Sequence, residues 1–90
     1  MDNFFSKFDG VTLSFNDMAE GEDGREFVEV LIDRINGKNF DFIFTKIPGF
    51  RVLDTRGFSD DEIKRWLEYT MRNSVLVWEI AKERRDEKLA

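Results

Sequence analysis

Between Val11 and Asn16 apolar and polar residues alternate strictly, Val11, Leu13 and Phe15 against Thr12, Ser14 and Asn16, and that period of two predicts a half-buried strand. Upstream, Asn3 to Phe8 places Phe4 and Phe8 one helical turn apart, which predicts a short helical turn packed on the core. Arg25 to Arg34 and Lys38 to Ile47 are the two longest strand patterns, and Asn36-Gly37 between them is a hairpin signal. Shifting a strand by one residue exchanges its faces, so burial selects the register. A three-residue loop, Ile35-Asn36-Gly37, sets Ile32 opposite Phe40, Val30 opposite Phe42 and Val28 opposite Phe44, a uniformly apolar row. The other face then carries Phe27, Glu29, Leu31, Asp33, Asp41, Ile43 and Thr45.

Asp17 to Gly24 holds four acids and two glycines and reads as a solvated loop. Ile47-Pro48-Gly49-Phe50 predicts a type II turn, with a short extended stretch after it. Ser59-Asp60-Asp61-Glu62 is a capping box that opens a helix. Behind it Ile63, Trp66, Leu67, Thr70, Met71, Ser74, Val75, Trp78 and Ala81 form one stripe at helical spacing. A straight helix to Glu87 measures about 42 Å, whereas a compact body of this length is about 31 Å across. Either the helix breaks at Asn73-Ser74 and folds back over the second sheet face, or its distal part projects.

Together these elements predict one small α+β domain over residues 1–90: a three-stranded antiparallel meander, strands near 11–16, 25–34 and 38–47, packed on one face by a long C-terminal helix. The expected core is Val11, Leu13, Phe15, Val28, Val30, Ile32, Phe40, Phe42 and Phe44 against Ile63, Trp66, Leu67, Met71 and Val75.

Composition narrows the chemistry. The chain has no cysteine and no histidine, which excludes disulfides, thiolate sites, imidazole bases and zinc sites of common type. No catalytic residue, metal ligand or cofactor is expected. Asp54, Arg56 and Ser59 lie close in sequence, but a cap and an exposed loop account for them. The acidic loop offers Asp23, Gly21 and Ala19 at the alternate positions a calcium loop would use, and two of those lack side-chain oxygens.

Charge is uneven. Residues 1–33 carry nine acids and two bases, and the rest ten acids and twelve bases, for a net of −5. An acidic chain without a basic stripe is a poor nucleic-acid ligand, and no apolar run approaches the length that spans a bilayer. The N-terminus shows no basic segment leading into an apolar stretch, so cytoplasmic residence is expected.

The expected function is protein binding: a small acidic inhibitor, immunity-type or regulatory protein that blocks a larger basic partner. Its site would join the loop acids Asp17, Glu20, Glu22 and Asp23 to a mixed face of Phe27, Glu29, Leu31, Asp33, Asp41 and Ile43. A homodimer is also expected, because Leu76, Val77 and Ile80 lie outside the main stripe of a projecting helix. The rival readings are a structural homodimeric subunit and a carboxylate-based enzyme.

Overall fold

In the computed structural model, which describes residues 1–90, the N-terminal aromatics are extended. β1 (Asn3–Phe8) pairs antiparallel with β2 (Val11–Phe15), Phe8 opposite Val11. The expected helical turn is not there, and the next two residues explain why. Asp9-Gly10 is a hairpin dipeptide, and a full ladder along β2 outweighs a single aromatic contact along a helical turn. A bulge between Phe4 and Ser6 turns Phe5 inward, its ring 6.4 Å from that of Phe15.

The chain then forms β3 (Ala19–Glu20), β4 (Glu26–Asn36), β5 (Asn39–Ile47), β6 (Asp54–Arg56), α1 (Asp60–Arg72) and α2 (Ser74–Leu89). The fold is α+β with an antiparallel sheet of six strands, not three, in the order β1-β2-β4-β5-β6, while β3 pairs with the start of β4. The turn after β5 also differs from expectation. It contains a cis Ile47–Pro48 bond and closes through the Phe50 N–H donating to the Lys46 carbonyl at 3.0 Å, one residue wider than a type II turn.

The β4–β5 register overturns the expected one. Asn36 pairs with Asn39, Arg34 with Asp41, Ile32 with Ile43, Leu31 with Phe44 and Val28 with Ile47. The loop is therefore two residues, Gly37-Lys38, with Gly37 at φ 62° in the first central position that a II′ turn gives to glycine. Val28, Val30 and Ile32 do point into the core, but against Ile43, Thr45 and Ile47. Phe40, Phe42 and Phe44 lie on the opposite face. Asp41 and Ile43, expected on that outer face, are buried instead. The polar residues on the inner row each have a partner: the Thr45 hydroxyl donates to the Arg51 carbonyl at 2.6 Å, and Asp41 accepts from Arg34 and Asn36. Those bonds offset the desolvation cost of burying Asp41 and Thr45, and β-branched Ile43 and Ile47 fill the space under the helices.

Both helices lie on that inner face, running lengthwise from the β4–β5 turn, where Glu62 meets Arg34, to the far end, where the Met18 N–H donates to the Ala81 carbonyl at 3.2 Å. One residue, Asn73, interrupts the helical track. Its distal part neither projects nor folds over the second sheet face. The body is elongated, 41 × 23 × 22 Å, because eleven-residue β4 alone extends about 36 Å. The helices run along it, and their far end is tied to the sheet through Arg85 with Glu26 and Lys88 with Asp17. The core-facing line is half-buried Ile63 and Leu67 with fully buried Thr70, Val77 and Ala81, whereas Met71 and Val75 are exposed. Strict 3.6-residue spacing carries the line through small polar residues, Thr70 among them, whose hydroxyl donates to the Trp66 carbonyl at 2.8 Å.

Candidate functional site

With both helices on one side, the other face of the sheet is open. Register fixes its layout row by row. One row reads Lys7, Thr12, Asp33, Phe42, Arg56 across β1, β2, β4, β5 and β6, and the next reads Phe4, Ser14, Leu31, Phe44, Asp54. Ile35 lies beside Phe40, and Glu29 beside Lys46. The β1–β2 side is polar apart from exposed Phe4, and the β4–β5 stripe is largely apolar, Phe27, Leu31 and Ile35 against Phe40, Phe42 and Phe44, with Glu29 and Asp33 interleaved on β4. Phe42 and Phe44 are half-buried, while Ile35 is 84% and Phe40 47% exposed.

Cations cover parts of this stripe. Arg56 lies over the Phe40 and Phe42 rings, 5.4 Å from each centroid, and donates to the Phe40 carbonyl at 2.7 Å. Lys46 sits 5.4 Å from the Phe27 centroid. Asp33 is the acid nearest the centre, and burial pushes its carboxyl up against the pull of the N-terminal ammonium. Acids Glu29, Asp33 and Asp54 thus face bases Lys7, Lys46 and Arg56, and the open face is balanced in charge.

Of the expected site, Phe27, Glu29, Leu31 and Asp33 come together here. Asp41, 6% exposed, and fully buried Ile43 belong to the interior, so of the expected acidic rim Glu29 and Asp33 remain on this face. Phe40, Phe42, Phe44, Lys46 and Arg56 take their place. Alternation in Asn39–Ile47 shows that these phenylalanines share a face, but hydrophobicity alone assigned them to the wrong one.

The loop acids gather at one end of the sheet. Asp17 accepts from Asn3 at 2.9 Å and pairs with Lys88, and those two bonds hold its carboxyl below the usual range. Asp23 accepts from the Arg25 N–H at 3.0 Å and closes a tight turn, and Glu22 and Glu20 are exposed. The expected helix interface does not form one surface: Val77 is fully buried, Ile80 packs against the core and Leu76 is 54% exposed.

A cleft of about 430 Å³ lies between the β1–β2 turn and α1, lined by Phe8, Asp9, Val11, Arg34, Glu62, Arg65, Trp66 and Tyr69. Much of its polar capacity is spent internally. Arg34 donates to Asp41 at 2.8 Å and to Glu62 at 2.6 Å, and the Tyr69 hydroxyl bonds Ser6 at 2.9 Å. Asp54, Arg56 and Ser59 do not converge: Arg56 lies on Phe40 and Phe42, and Ser59 caps α1.

No protein-family model matches this chain, and no curated protein or solved structure is significantly similar to it.

Proposed function

We propose that the chain is a non-catalytic protein-binding module, with the open phenylalanine-rich sheet face as its association surface and the acidic end as the element that draws a basic partner. The observation carrying this reading is the one-sided placement of the helices. An antiparallel sheet tolerates one solvated face when that face is polar, but this one presents a stripe of six large apolar side chains. Contiguous apolar surface rimmed by polar groups marks association sites. Glu20 and Glu22 add exposed negative charge at the β3–β4 end of the sheet, where it accelerates encounter with a basic surface without setting the final affinity.

The test is capture from lysate with two paired variants, Ile35→Glu with Phe40→Glu on the face and Glu20→Lys with Glu22→Lys at the end. All four positions are exposed, so both proteins should keep wild-type circular dichroism. Association should be lost in the face pair, and capture of a basic protein should weaken and lose its salt dependence in the loop pair. Capture unchanged by both overturns the reading.

A further inference from the structure

The open face is balanced in charge, with acids Glu29 and Asp33 on β4 and Lys46 beside them on β5, an arrangement that suits a copy of itself better than a uniformly basic surface. We infer that the occupant of the open sheet face is a second copy of this chain, laid face to face about a two-fold axis that runs parallel to the strands between β4 and β5. This rests on the reading of that face as an association surface and names what it holds. The axis follows from register. Rotation about it places each β4 residue over the β5 residue beside it in the row, so Glu29 meets Lys46 of the second copy, Leu31 meets its Phe44 and Ile35 meets its Phe40, each contact made twice. An axis across the strands at Leu31 sets Asp33 on Glu29 of the other copy, like charge on like.

Area is near what a pair needs. At about 4.8 Å between strands and about 3.3 Å per residue, the strands that overlap about this axis, β4 on β5 and β2 on β6, offer about 400 Å² in projection. Two faces laid together cover about 800 Å² before side-chain relief is counted, close to the level of about 1,000 Å² at which specific interfaces begin. Sheets stacked this way pack about 10 Å apart with their strands roughly aligned, so complementarity is needed most in the central rows. Leu31–Phe44 and Asp33–Phe42 lie at the centre, flanked by Glu29–Lys46 and Ile35–Phe40.

Because the axis runs along the strands, both copies point the same way. Their two loops of Asp17 to Gly24 then lie side by side at one end of the pair. The dimer concentrates the acidic charge that each chain carries singly, and a basic partner bound across that end would relieve the repulsion.

Sedimentation equilibrium reads the pairing directly. Wild-type chain at about 100 µM should give a mass near twice 10.7 kDa, and Ile35→Glu with Phe40→Glu should reduce it to the single-chain mass. Glu29→Lys alone and Lys46→Glu alone should each lose the pair, whereas mixing the two variants should restore it, since each then meets its opposite charge across the axis. Val75→Glu with Leu76→Glu, on the exposed side of α2, should leave the pair intact. A monomeric wild type overturns the inference, as does a dimer broken by the α2 variant and kept by the face variant. If the monomer still captures a basic protein and loses it on the face variant, the association reading stands without the second copy. If face and loop variants both leave capture unchanged, both fall.

Discussion

Arg34 joins three segments through one guanidinium: Asp41 on the neighbouring strand, Glu62 in the first turn of α1, and the Gly57 carbonyl at 3.2 Å, with the Phe58 ring 4.1 Å from its centre. Gly57 is held at φ +83°, and a Cβ there would lie 1.9 Å from an Asp41 oxygen. Gly57→Ala therefore incurs both the left-handed backbone cost, about 1–2 kcal/mol, and a displaced Asp41, and should lower the thermal midpoint clearly. Arg34 and the Ser59 N–H together hold the Glu62 carboxyl at about 2, below an ordinary value near 4.5. A carboxylate depressed in the folded state contributes stability that is whole above its ordinary value and lost as pH falls towards the folded one. The chain should thus lose stability between about pH 4.5 and 2, with Asp41 and Asp17 acting in the same direction. Glu62→Gln should be less stable at neutral pH and flatter through that window in a urea-midpoint profile. The register makes a separate demand. Ile43→Ala should cost about 2–5 kcal/mol, while Phe40→Ala should fall within about 0.5 kcal/mol, as surface substitutions do. Equal losses in urea unfolding would contradict the observed pairing.

Among the elements, capping and alternation were plainly legible and facing was not. Ser59 accepts from the Glu62 N–H at 3.2 Å while Glu62 accepts from the Ser59 N–H at 2.9 Å, as the four-residue pattern predicts. Ser59→Ala should cost about 1 kcal/mol, measured by chemical unfolding. It should be non-additive with Arg34→Ala, because Glu62 serves both partners. The strands at 11–16, 25–34 and 38–47 were readable from their period of two, and half the candidate face followed from β4. The other half failed because alternation says which residues share a face and leaves open which face is covered. Three phenylalanines outweigh Ile43 and Ile47 on any hydrophobicity scale, but Arg34, Asn36 and the Arg51 carbonyl satisfy the polar residues of the competing row. Those partners are five to seven residues from Asp41 or Thr45 and invisible to a local pattern. The N-terminal strand was misread for a nearer reason, since Asp9-Gly10 itself signals a hairpin. Met71 and Val75 share the helical stripe but lie at its edge, and the buried line runs through Thr70, Val77 and Ala81 instead.

At the scale of the molecule, shape decided between the expectations about the long helix. A radius of gyration of 13.3 Å and a 41 Å long axis exceed those of the compact body assumed from length alone. Small-angle scattering on the dispersed face variant should return a radius near 13.3 Å before hydration is counted, and a distinctly larger one for paired wild type. The helical track also has unequal anchors. α1 is moored at its start by the sheltered Arg34 cluster, while α2 is moored near its end by pairs that each have one more exposed member, Arg85 with Glu26 and Lys88 with Asp17. Exposed pairs yield to ionic strength far sooner than sheltered ones. Raising salt should therefore peel the chain from its C-terminal end, with amide exchange quickening over Lys82 to Ala90 and stopping at Ala81, whose burial and carbonyl bond to the Met18 N–H make it the limit of fraying.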